Sequence, residues 1–112
     1  TAVDNMSPGH PFIQALSDIP VAPGVAVNSI IPVKPEYDPY QDGNDGVVKY
    51  ESAHIEPVES ELVVRSTHST QSNPHTIAEV RRILLKHAID ANCGPPVELT
   101  ASPAPGPAAQ RR

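Results

Sequence analysis

Apolar side chains recur along the chain with two different periods, and the switches between them mark out the elements. In "SPGHPFIQALSDIP", residues 7–20, Phe12, Ala15, Leu16 and Ile19 fall on one stripe at helical spacing, and Pro11 suits a first helical position. A short helix is predicted, stopping before Pro20. "GVAVNSIIPV", residues 24–33, is a nearly continuous β-rich apolar run, the pattern of a parallel strand buried on both faces. "KPEYDPYQDGNDG" then has two Pro, two Asp-Gly steps and no apolar period, and reads as a loop. A turn or short helix is expected around Tyr50 to Ile55, ending before Pro57, and a second strand at Glu61 to Ser66 with Leu62, Val63 and Val64 at its centre.

The last element carries the clearest signals. Asn73 can cap a helix whose first residue is Pro74; Ile77, Val80, Leu84 and Ala88 share one face, with Ile83 flanking. Glu79, Arg82 and Lys86 are expected outside. Asn92 or Gly94 can take the left-handed cap, and Pro95 cannot continue the helix. Residues 1–92 therefore read as one folded unit. Residues 93–112, Pro- and Ala-rich with little that packs, read as a disordered tail.

Two strands joined by a crossover that contains a helix must run parallel, with a right-handed connection. Such a pair needs cover on both faces and more strands beside it. The predicted fold class is thus α/β, the end of a larger parallel sheet and incomplete on its own. The start at Thr1 rather than Met adds the expectation of sequence upstream.

Composition narrows the function classes. The chain of 112 residues has no Trp, one Phe, three Tyr and fourteen Pro, which limits the core it can build. Net charge is −5, with thirteen acidic against eight basic side chains and no basic block, so the footprint of a nucleic-acid binder is missing. Cys93 is the sole cysteine, which excludes an internal disulfide and any multi-cysteine zinc site. No run approaches the length of a membrane span. The compartment is left open.

In open α/β sheets, functional groups gather beyond the carboxyl ends of the strands. The loop after the first strand offers Asp42 and Asp45 there, and the loop after the second offers His68. Adjacent parallel strands would bring an Asp and a His from these loops together, as an acid that orients a base. Taken singly, an Asp-Gly step is usually a turn and a loop histidine is usually solvated. His10, His54, His75 and His87 read as structural or exposed. Asp38, Asp42, Asn44 and Asp45 do not meet the spacing of an EF-hand calcium loop in any register, so no metal site is expected.

Several stretches together, "DNMSPGHPFIQAL", "SIIPV", "NDGVVKYESAH", "ESELVVRSTHSTQSNP" and "IAEVRRILLKH", resemble the C-terminal part of a bacterial serine esterase or lipase of the α/β-hydrolase fold. The resemblance spans residues 3 to 90 and leaves out the tail. It implies a triad in the chain order Ser, Asp, His, with the acid in the D-G-V-V turn at Asp45 and the base at His68 in the loop before the last helix. No G-x-S-x-G occurs in these residues, and Ser7, Ser29, Ser66, Ser69 and Ser72 lack the flanking glycines of a nucleophile elbow. The oxyanion loop is missing too. Lys49 stands where the family leads us to expect Pro, and Asn28 where it leads us to expect His.

The resemblance thus implies the C-terminal portion of a carboxylic-ester hydrolase, without a cofactor, whose substrate is a small-molecule or lipid ester and whose partner is the remainder of the hydrolase domain upstream. By itself the chain is expected to be inactive. The alternative is a non-catalytic interaction module derived from the same fold, whose open sheet edge needs a partner.

Overall fold

A computed structural model describes residues 2–92 and 109–112. The elements run from a 3-10 turn at Asp4–Met6 through α1 (Pro11–Ser17), β1 (Asn28–Val33), a 3-10 turn at Tyr40–Asp42, α2 (Tyr50–Ala53), β2 (Ser60–Arg65) and α3 (Pro74–Asp90) to β3 (Ala109–Arg111). The chain is a small α/β unit. β1 and β2 pair in parallel from Asn28 opposite Ser60 to Val33 opposite Arg65, and β3 adds antiparallel to the far side of β2.

Local signals explain the helix ends. The His10 ring caps α1, its Nδ1 accepting from the Phe12 N–H at 3.1 Å, with Pro11 at the first position. The Asn73 side chain accepts from the His75 N–H at 2.9 Å at the start of α3. After Asp90 the chain turns at Ala91, and Asn92 takes the left-handed conformation, φ 54°, that stops the helix. The strand of residues 24–33 is shorter than its apolar run, because the chain turns at Gly24, φ +85°, and enters the sheet only at Asn28.

The sheet is covered on both faces. Ile31, Val33 and Val63 pack with Tyr50 of α2 and with Tyr37, Tyr40 and Ala53 on one side. Leu62 and Val64 pack with Ile30 on the other. Alternate positions serve opposite faces, so both sets must be apolar, which accounts for the unbroken hydrophobic runs. α3 crosses the second face, where Arg82 reaches the Ser60 hydroxyl at 3.0 Å.

Two expectations are corrected here. The apolar stripe of α3 faces outward: Ile77, Val80 and Leu84 are 48%, 42% and 62% exposed, whereas Glu79 is 1% exposed. The cause is a polar seam. Arg82 grips both carboxylate oxygens of Glu79 at 2.8 and 2.9 Å and also donates to Ser60, whose hydroxyl donates to Asn28 Oδ1 at 2.6 Å. A buried carboxylate held by a two-pronged guanidinium is satisfied, so this face of the helix docks on the amino end of β2, through Arg82 and Ser60. The second correction concerns the tail. Residues 93–108 lie outside the described residues, but 109–111 form a strand where composition predicted none. Residues 109–111 are held there by main-chain pairing with the edge of β2.

Among the described residues, no helix is long and apolar enough to cross a membrane.

Candidate active site

The loop after β1 returns over the carboxyl end of its own strand. The Lys34 N–H donates to the Asn44 carbonyl at 2.9 Å, and the Tyr50 N–H to the Gly43 carbonyl at 3.0 Å. Gly43 permits the close approach, since a Cβ there would lie 2.5 Å from Val33 Cγ1 and 2.7 Å from Tyr37 Cβ. Asn44 is held twice more: its amide donates to the Tyr37 hydroxyl at 2.6 Å, and its Oδ1 accepts from the Gly46 N–H at 2.8 Å. Gly46 then takes φ +103°, open to glycine at little cost. These ties fix the backbone on both sides of Asp45.

Asp45 is 4% exposed. Its Oδ1 accepts from the N–H groups of Val47 and Val48 at 2.8 and 2.7 Å, and its Oδ2 lies 2.8 Å from His68 Nδ1. Burial works against the carboxylate's charge, but the Val48 N–H, the His68 ring and the Val47 N–H outweigh it and hold the carboxyl below its ordinary value. An ionised carboxylate only accepts, so Nδ1 carries the hydrogen and Nε2 of neutral His68 is left with its lone pair.

The β2–α3 loop positions the histidine. The His68 N–H donates to the Asp45 carbonyl at 3.0 Å, so main chain and side chain of the two residues are tied together. Thr70 braces the loop against α3 through the Thr76 hydroxyl at 2.8 Å, and the Asn73 N–H donates to the Thr70 carbonyl. The His68 side chain is 56% exposed, so its far edge faces solvent. The arrangement can take a proton at Nε2, with the resulting positive ring facing a fixed negative charge.

The two residues singled out from the sequence thus meet at the carboxyl ends of adjacent parallel strands. Asp42, the other acid in that loop, ends the 3-10 turn that leads into Gly43, and it is Asp45 that pairs with His68. His54, read as structural or exposed, belongs to a cluster that the sequence reading missed. Its Nδ1 is 2.6 Å from Glu61 Oε2, and the Tyr50 hydroxyl donates to Glu61 Oε1 at 2.7 Å. Glu61 is 1% exposed. The available signal was Tyr50 and His54 four residues apart, one helical turn, ahead of an acid near the start of a strand.

An apolar hollow of about 700 Å³ lies between residues 20–27 and 57–59. These segments precede β1 and β2, so it sits at the amino ends of the strands, opposite the dyad. No group of three or more His, Cys, Asp or Glu is placed to hold a metal among the described residues.

No family model, curated protein or solved structure matches this chain.

Proposed function

We propose that this chain supplies the acid and the base of a serine carboxylic-ester hydrolase, of esterase or lipase type and α/β-hydrolase fold, whose nucleophile is carried by sequence outside these residues. The observation that carries the reading is the hydrogen-bonded contact of 2.8 Å between Asp45 and His68 at the carboxyl edge of the sheet, with the His68 side chain more than half exposed. The order and spacing of the quoted motifs support it. So do the uncovered apolar faces of α1 and α3, where Phe12, Leu16, Ile77 and Leu84 are each about half exposed, as expected of a piece of a larger domain.

In the assembled site, His68 Nε2 takes the hydroxyl proton of the serine as its oxygen attacks the ester carbonyl carbon. The tetrahedral intermediate collapses, the alkoxide leaves with the proton from Nε2, and an acyl-enzyme remains. Water then repeats the sequence in the same geometry and releases the acid. Asp45 keeps the ring in the tautomer with the hydrogen on Nδ1 and stabilises the imidazolium. No cofactor enters this chemistry.

A second reading, a non-catalytic interaction module, is favoured by one observation: no G-x-S-x-G stands in the 112 residues. The reading frame upstream of Thr1 separates the two. A strand followed by G-x-S-x-G, in a protein that hydrolyses a short-chain nitrophenyl ester and loses turnover with His68→Ala, supports the hydrolase. A start codon and ribosome site immediately before Thr1 would sink it. The 112-residue chain alone is expected to release no nitrophenol above the uncatalysed rate.

A further inference from the structure

The outer edge of β2 is occupied in a way the Asp45–His68 dyad does not use. Residues 109–111 lie antiparallel along it, with Leu62 opposite Arg111, Val63 opposite Gln110 and Val64 opposite Ala109. The Arg112 N–H extends the pairing to the Glu61 carbonyl at 2.9 Å. The same residue brings a charge. Arg112 Nε lies 3.3 Å from Glu61 Oε1, and its Nη1 pairs with Glu56 Oε1.

Glu61 explains why a cation belongs there. Its carboxylate is buried beneath Tyr50 and His54, which stack at a centroid distance of 5.4 Å. A buried carboxylate that meets only a phenol and an imidazole lacks a permanent counter-charge. The guanidinium supplies one, and Glu56, at the rim, holds its other prong. Hydrogen bonding to Arg112 in turn keeps the Glu56 carboxyl below its ordinary value.

We propose that the outer edge of β2, with Glu61 and Glu56, is a docking site for an extended arginine-bearing segment, occupied in this chain by its own residues 109–112. Main-chain pairing holds any extended segment, and the guanidinium selects which one, as in other recognition by strand addition. Lysine is a poor substitute, because its single nitrogen cannot occupy both of the separated positions from which Nε and Nη1 of Arg112 meet Glu61 and Glu56. The bound segment also covers an edge that otherwise templates association between copies. The site does not depend on the hydrolase reading.

Hydrogen exchange of the whole chain, read separately over residues 61–65 and over α3, tests this. Arg112→Ala is expected to speed exchange over 61–65 by about tenfold or more while α3 is unchanged, and Arg112→Lys to recover little of the loss. Glu56→Gln, at an exposed side chain, should produce a smaller acceleration of the same segment. Added to Arg112→Ala at millimolar concentration, the acetylated and amidated peptide Pro-Ala-Ala-Gln-Arg-Arg should restore protection, and the same peptide ending in Ala should not. Unchanged exchange over 61–65 in Arg112→Ala, or equal rescue by both peptides, would overturn the site. Protection that fades on dilution would place the segment on a second copy and overturn the assignment to the chain's own residues.

Discussion

Two substitutions at Asp45 separate what its carboxylate does for the turn from what it does for the histidine. Asp45→Ala removes the acceptor of the Val47 and Val48 N–H groups and the partner of His68. Each partly buried N–H left without an acceptor costs about 1 kcal/mol, and the bond to His68 adds about 0.5–1 kcal/mol, discounted because that ring is more than half exposed. The expected loss is about 2–3 kcal/mol. Asp45→Asn keeps an oxygen for both N–H groups and should cost only about 1 kcal/mol. It presents an amide NH₂ to Nδ1, however, so the ring hydrogen moves to Nε2, the nitrogen that must accept the serine proton. In a complete enzyme the expected fall in kcat is on the order of 10⁴-fold from this mild change. Urea titration measures the stability difference, and ¹⁵N shifts of the His68 ring read the tautomer without any substrate. Equal destabilisation by the two variants, or a ring that keeps its hydrogen on Nδ1 in Asp45→Asn, would refute the division of roles.

Acid should release the same contact from the other direction. Because the Asp45 carboxyl is held below its ordinary 3.8, its contribution is fully present above that pH and is lost as pH falls through the lowered folded value. The Val48 amide shift should titrate with a midpoint below 3.8; a midpoint at or above it would contradict the hydrogen-bond geometry. Leu84→Glu tests the orientation of α3: with Leu84 62% exposed, the substitution should change stability by no more than about 0.5 kcal/mol and raise solubility. A loss above about 2 kcal/mol would mean that the stripe is packed.

Much of the fold could be read in advance where one residue type has a single physical reason to be present. Pro11 and Pro74 open helices, Asn73 caps one and Asn92 ends it, each as its backbone chemistry requires. The two apolar runs are parallel neighbours covered on both faces. That topology alone was enough to predict that a residue after β1 and another after β2 would meet. It could not choose between Asp42 and Asp45. The choice depends on Gly43 packing against Val33 and on the Asn44–Tyr37 contact, which turn the chain so that Asp45 is the acid over the strand end.

What was not legible has a common cause. Helical periodicity finds a stripe but carries no sign: it cannot say whether the stripe faces the sheet of the same chain or something beyond it. On α3, Glu79 and Arg82 satisfy each other and find Ser60, so the polar face docks at small desolvation cost and the apolar face is left outward. On β2, Glu61 is the second residue of the strand and a charged one that pattern alone would place in solvent, yet Tyr50, His54 and Arg112 converge on it. Both cases turn on side-chain pairings that reach across the fold, Arg82 to Ser60 and Arg112 to Glu61, and four of the residues involved, Glu79, Arg82, Glu61 and Arg112, carry full charge. A pattern of apolar positions treats every such residue as a vote for solvent. The physical rule is narrower: a charged group avoids the interior only when the chain offers it no partner there, and this chain offers partners at Glu61 and Glu79.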